Sequence, residues 1–133
     1  MRYSLICSTA ALILASTPLF AADNAAQEAA TAHAHAKMAA GADSIDMTHT
    51  HLHHVINCLV GPDGDAFDAD AGNPCDGMGD GALNDADSDS DLHDQLQKAL
   101  ETAQKGLDQD DLDAAHETAN NVADLLPEGS DDQ

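Results

Sequence analysis

Residues 46–59, DMTHTHLHHVINCL, match residues 113–126, DAAHETANNVADLL, when the chain is shifted by 67 positions. Upstream of these segments, Ile45 falls on Leu112 and Ala36 falls on Ala103. Within them, the coinciding pairs are Asp46 with Asp113, His49 with His116, Val55 with Val122 and Leu59 with Leu126. The match predicts an internal repeat, and chance similarity between two amphipathic segments is the alternative.

Helical spacing of apolar residues extends outward from both segments and predicts four helices, over 25–40, 44–60, 91–106 and 110–126. Ser44 or Asp43 suits the start of the second helix, and Gly61-Pro62 suits its end. Neither helical pair can bury its apolar face alone. We therefore expect an all-α fold, a four-helix bundle made of two repeated helical hairpins.

Between the hairpins, residues 61–91 are rich in Asp and Gly and follow neither a helical nor a strand period. This stretch is expected to be a long loop. Cys58 and Cys75 flank its first half and are the two cysteines left if the chain is exported, so they predict one disulfide. Closing a loop of about 18 residues stabilises by ~3 kcal/mol in the chain-entropy model.

The N-terminus, MRYSLICSTAALILASTPLFAAD, has one basic residue, a short apolar run and small residues at its end. That order is typical of a secretory signal peptide over 1–22, cleaved after Ala21 or Ala22, and indicates a periplasmic or secreted protein without a membrane span after cleavage. The bundle with its insert is then expected over 23–126, and the acidic tail 127–133 is expected to be disordered.

The chain is strongly acidic, with 25 Asp and Glu against 4 Lys and Arg and a net charge of −21. Such a surface repels nucleic acid and anionic lipid and favours cations as partners. A solvated surface that only keeps the protein soluble is the alternative use of these carboxylates. No nucleophile–base pair and no phosphate-binding loop is evident, so we expect a binding protein rather than an enzyme.

Eight histidines are concentrated in the predicted helices, and four of them fall within the six residues HTHLHH, 49–54. His49 and His53 lie one turn apart on one side of a helix and are suited to share an ion. Antiparallel packing sets His33 level with His53 and His35 level with His51. The candidate ligands for copper, nickel or zinc are His49, His53, His51, His54, His33, His35 and His116. Met38 and Met47 are further soft donors for Cu(I), with packing as their alternative role.

The acidic insert resembles calcium loops in composition but lacks the spacing of an EF-hand. Its carboxylates are candidates for a secondary metal or calcium site, with a solvated loop as the alternative. They are Asp63, Asp65, Asp68, Asp70, Asp85, Asp87 and Asp89.

The second hairpin, QKALETAQKGLDQDDLDAAHETANNVADLL, resembles the Ala-rich, His-bearing hairpins of small periplasmic metal-binding proteins of nitrifying bacteria. Those proteins are His-rich four-helix bundles that sequester copper and other divalent ions. The resemblance implies metal sites in the first hairpin, because the second keeps only His93 and His116.

The expected function is binding, buffering or delivery of divalent transition metals in the periplasm. Two other readings remain open at this point. One is an envelope interaction or structural protein, bound to another envelope protein, whose histidines are incidental or sense pH. The other is a module ordered by calcium through the insert.

Overall fold

The computed structural model describes residues 19–88 and 90–129 and is helical, with no β-strand among those residues. The expectation of an all-α fold is therefore confirmed. The helices are α1 (Leu19–Ala40), α2 (Ile45–Val60), α3 (Ala82–Asp85), α4 (Asp91–Leu107) and α5 (Leu112–Leu125). None of these helices is long and apolar enough to cross a membrane.

Side-chain caps fix where the long helices begin. The Ser44 hydroxyl accepts a hydrogen bond from the Met47 N–H (3.3 Å), and the Asp111 carboxylate accepts one from the Ala114 N–H (2.9 Å). Ser44 and Asp111 are equivalent positions of the repeat, so both halves use the same kind of cap. At the other end of α2, Gly61 takes a φ of +70°, which ends the helix where the sequence predicts.

The start of the first helix differs from the expectation. The first helix begins at Leu19 rather than at residue 25, so it continues through the expected cleavage position. Residues 1–18 of the expected signal peptide lie outside the described residues, as do 130–133 of the tail. Residues 127–129 are described and follow the end of α5, and a Cβ on Gly129 would lie 3.4 Å from the Ala30 side chain.

The insert also contains α3, which was not predicted because residues 61–91 show no helical period in the sequence. This single turn forms because the Gly81 carbonyl accepts from the N–H groups of Asn84 (2.8 Å) and Asp85 (2.9 Å). The Asn84 side chain then donates to the Val60 carbonyl (3.1 Å), and Ala82 is fully buried. A four-residue helix is too short to show a period, so tertiary contacts decide its conformation.

The core lies between the four long helices, and α1 supplies only small side chains to it. The helices contact in a ring: α1 packs on α2 and α5, and α4 also packs on α2 and α5. The fully buried residues of α1 that belong to the core are Ala25, Ala29, Ala32, Ala36 and Ala39. Larger residues come from α2 and α4, among them Leu52, Val55, Leu59 and Leu96.

The predicted disulfide joins Cys58 and Cys75, whose Cα atoms are 5.3 Å apart. Cys58 lies near the end of α2, so the bridge fastens the first half of the insert to the helices. The second half is fastened by Glu28 on α1, whose Oε1 accepts from the Gly81 N–H (3.1 Å). The disulfide and Glu28 thus both hold the insert against the long helices.

Candidate metal centre

Three histidines from two helices bring their Nδ1 atoms together. His51 and His54 are three residues apart on α2, which places both side chains on one face. His35 on α1 meets them there: its Nδ1 lies 3.2 Å from that of His51 and 3.3 Å from that of His54. All three side chains are partly buried.

Ligand atoms of these three residues all lie within 4.8 Å of one another. Among the described residues, no other group of three or more His, Cys, Asp or Glu is this close together. Imidazole nitrogens bind zinc at about 2.0–2.1 Å, so two such ligands on a tetrahedral ion are separated by about 3.3–3.4 Å. The two measured Nδ1 separations, 3.2 and 3.3 Å, are close to that value. Two of the three pairs therefore have the separation of histidines that share one ion.

A backbone carbonyl selects which nitrogen of His54 faces the cluster. The Nε2 atom of His54 lies 2.7 Å from the Ala71 oxygen, which can only accept, so Nε2 carries the proton. In the neutral ring, Nδ1 then keeps its lone pair and points it at His35. Histidine ligands of metals are commonly oriented in this way by a carbonyl on the far nitrogen.

The environment disfavours protons on the cluster. Burial, followed by repulsion from His54 and His51, lowers the pKa of His35 to about 4. Burial, followed by His54, also lowers the pKa of His51. Metal binding requires unprotonated imidazole, so His35 and His51 are available as ligands at neutral pH without losing a proton. Three Nδ1 atoms that converge where an additional proton binds poorly are a suitable environment for a metal cation.

Two other candidate histidines brace the helices reciprocally. His49 donates from Nε2 to the Gln109 carbonyl (2.9 Å) in the α4–α5 connection. His116 donates from Nε2 to the Ala42 carbonyl (2.9 Å) in the α1–α2 connection. Under the shift of 67 positions, His49 corresponds to His116 and Ala42 corresponds to Gln109. The two hydrogen bonds therefore join equivalent positions in opposite directions, one donated from each half of the chain. Their Nε2 atoms are occupied by these bonds.

His33 and His53 also have partners elsewhere. His33 donates from Nδ1 to the carbonyls of Ala123 (3.1 Å) and Leu126 (3.3 Å) at the end of α5. The Nδ1 atom of His53 lies 3.3 Å from the Asp68 carboxylate in the insert. The structure therefore does not bring His49 and His53 onto a common partner, nor does it bring His33, His49 and His116 together.

The carboxylates of the insert form no comparable cluster among the described residues. The Asp68 carboxylate accepts hydrogen bonds from backbone N–H groups and contacts His53. The Asp85 carboxylate accepts a hydrogen bond from the Asp80 N–H (3.2 Å). Asp63, Asp65, Asp70 and Asp87 are exposed, and Asp89 lies outside the described residues. The geometry thus concentrates metal-binding potential on the histidines.

Two exposed methionines flank the cluster. Met38 is 50% and Met47 51% exposed, which argues against packing as their role. Met38 follows His35 by three residues and Met47 precedes His51 by four, so each neighbours a cluster histidine on its own helix. Thioether sulfur at this place is a soft donor beside nitrogen ligands.

Sequence reasoning missed two buried polar residues. Asn57 is fully buried, and its polar side chain within the apolar part of α2 was the available signal. Glu28 is 1% exposed, and its Oε2 has no hydrogen-bond partner. Burial raises the pKa of Glu28 to about 7, against the bond from Gly81 and with help from the nearby Asp85 and Asp80.

In comparisons with known proteins, no family model matches this chain, and no characterised protein or solved structure shows significant similarity to it.

Proposed function

We propose that this protein binds one divalent transition-metal ion through the Nδ1 atoms of His35, His51 and His54. The observation that carries the proposal is the convergence of these three atoms at 3.2 and 3.3 Å, with the far nitrogen of His54 held by a carbonyl. Three protein ligands leave a fourth position open to water or to an exchanging ligand. Such a site suits buffering or delivery of the ion better than permanent storage.

The charge of the protein supports a cation as the ligand. A net charge of −21 raises the local concentration of cations and their rate of arrival. Copper, nickel and zinc all accept imidazole ligands, and the three-nitrogen set is compatible with each. We further propose that the protein acts outside the cytoplasm, in the periplasm. The N-terminal pattern and the Cys58–Cys75 disulfide support this location.

We also propose that the four long helices form a four-helix bundle of two repeated hairpins, joined by the acidic insert. The ring of helix contacts supports this architecture. The reciprocal bonds of His49 and His116 support the repeat, because they relate the halves by one operation. In this arrangement the metal centre belongs to the first hairpin alone.

The test is to titrate the protein with Zn(II), Cu(II) and Ni(II) and to measure binding by calorimetry or by competition with a chelator. We expect one ion per chain with a Kd in the micromolar range or below. Replacing His35 with Ala should weaken binding at least 100-fold, since His35 is the residue that contacts both others. His93→Ala is the matched control, because His93 is partly buried on α4 and its side chain makes no hydrogen bond or ion pair with the described residues. Equal affinities for the two variants would refute the proposal.

A further inference from the structure

A short segment of the insert, loop 68–72, lies against the outer side of the histidine cluster. Its Ala71 carbonyl accepts the Nε2–H of His54 (2.7 Å), and its Asp68 carboxylate lies 3.3 Å from the Nδ1 of the neighbouring His53. The loop thus contacts two consecutive histidines of α2. It reaches one ligand of the proposed metal centre on the side opposite the ion.

The buried Asn57 side chain holds this loop on α2. Its Nδ2 donates to the carbonyls of Asp68 (2.7 Å) and Gly72 (2.7 Å), and its Oδ1 accepts from the Asp68 N–H (2.8 Å). One amide therefore binds both ends of the loop. Asn57 lies three residues after His54 on the same helix, so the ligand and the anchor of its partner are fixed to one rigid element.

The loop is also rigid internally. The Oδ1 atom of Asp68 accepts from the N–H groups of Asp70 (2.9 Å) and Ala71 (3.3 Å). Gly72 closes the loop with a φ of +88°, a conformation that L side chains rarely adopt. The disulfide from Cys58 to Cys75 begins one residue after Asn57 and limits movement of the chain that leaves the loop.

We infer that loop 68–72 is a positioning element of the metal centre, in which Asn57 and Asp68 hold the Ala71 carbonyl so that His54 presents Nδ1 to the ion. The inference rests on the proposed function. Without the carbonyl, the neutral His54 ring can carry its proton on either nitrogen, and only one of the two forms offers an Nδ1 lone pair. Loss of such an outer partner of a ligating histidine commonly costs 10–100-fold in metal affinity.

The sharpest test compares Gly72→Ala with Gly77→Ala. Both glycines have similar positive φ angles, +88° and +78°, so both substitutions strain the same insert in the same way. Relaxing φ at residue 72 rotates the 71–72 peptide plane and carries the Ala71 carbonyl with it, whereas residue 77 lies outside the loop. A Cβ at Gly72 would lie 3.9 Å from His54 Nε2, and one at Gly77 would have nothing within 4 Å, so neither clashes. We expect Zn(II) affinity to fall 10–100-fold in the first variant and to stay unchanged in the second.

A second pair of variants removes the turn without changing a glycine. Asp68→Ala removes the acceptor for two N–H groups and should weaken Zn(II) binding about 10-fold. Asp68→Asn keeps an acceptor oxygen and should restore Zn(II) binding. Asp70→Ala is the matched change at an exposed carboxylate that makes no hydrogen bond or ion pair with the described residues. ¹⁵N NMR of the imidazoles reports the mechanism directly: His54 should be protonated on Nε2 in the metal-free protein and bound through Nδ1 with Zn(II).

The outcomes separate the two proposals. If the protein binds no metal, or binds it unchanged without His35, the proposed function fails. If binding requires His35 but Gly72→Ala and Asp68→Ala match their controls, the metal centre stands and the role of the loop is refuted. A Zn(II)-bound His54 that still carries its proton on Nδ1 would also refute the role of the loop.

Discussion

The helix pairs α1–α2 and α4–α5 align under the shift of 67 positions, yet the three clustered histidines lie only in the first. At the equivalent positions the second pair carries Thr102, Thr118 and Asn121. Both threonines turn back to carbonyls of their own helix, those of Lys98 (2.8 Å) and Ala114 (2.9 Å). The one histidine kept at equivalent positions is the bracing one, His49 and His116. The comparison indicates that the histidine shared by both halves braces the connections between helices, whereas the three clustered histidines are confined to one half.

The largest test of this comparison rebuilds the site in the second pair. Thr102→His, Thr118→His and Asn121→His together should raise the number of Zn(II) ions bound per chain from one to two, measured by calorimetry. We expect the new site to be 10–100-fold weaker than the first if its third histidine lacks an orienting partner like the Ala71 carbonyl. A stoichiometry that stays at one would mean that helix spacing alone does not reproduce the site.

The second test concerns Glu28, whose repeat equivalent is the exposed Gln95. The folded protein holds the pKa of Glu28 at about 7, above its ordinary 4.5. The free energy of unfolding that protonated Glu28 contributes is therefore fully present below pH 4.5. It decreases as the pH rises and is lost once the pH passes about 7. Glu28→Gln keeps an acceptor for the Gly81 N–H and carries no charge. We expect it to raise the free energy of unfolding by about 3 kcal/mol at pH 9 and by little at pH 4.

Urea unfolding at the two pH values measures this effect. Gln95→Glu places the same carboxyl on the exposed equivalent position and should show almost no difference between the two pH values. If Glu28→Gln raised the free energy of unfolding equally at both pH values, the effect would come from packing rather than from ionisation.

The third test asks whether the bracing histidines are equivalent in energy as well as in geometry. His49→Ala and His116→Ala should each lower the free energy of unfolding by about 1 kcal/mol, because each removes one hydrogen bond to a turn of the other half. Neither should change Zn(II) affinity by more than about twofold, since neither contacts the cluster. A large loss of affinity in either variant would place that histidine in the site.

The smallest expected effect belongs to the exposed methionines. Their repeat equivalents, Lys105 and Ala114, cannot act as thioether donors. Met38→Leu with Met47→Leu should weaken Cu(I) binding a few-fold in competition with a chelator and leave Zn(II) binding unchanged, because sulfur prefers the softer ion. Met78→Leu is the control. An equal loss for both ions would indicate that the methionines support the local structure instead.

The sequence predicted the helices, the disulfide and the region of the site, since each depends on local spacing or on a residue count. His35 beside His51 follows from antiparallel packing about residue 43, which a sequence can indicate. The partners of His49, His33 and His53 are carbonyls and a carboxylate from distant segments, and no local pattern encodes them. The pairing of His49 with His53 on one ion stays a prediction, while in the structure each ring contacts a different distant segment. Sequence reasoning could not identify the Ala71 carbonyl as the partner of His54, because every residue has a backbone carbonyl and only the tertiary structure shows which one contacts the histidine.

The alanine face of α1 limits how this protein can change over time. Its five core positions are already fully buried, so a larger residue at any of them would force two helices apart, at a typical cost of about 1–3 kcal/mol. Substitutions on this helix are tolerable mainly at its exposed positions, such as Met38. Homologues should accordingly keep the small residues of α1 while varying at the exposed ones.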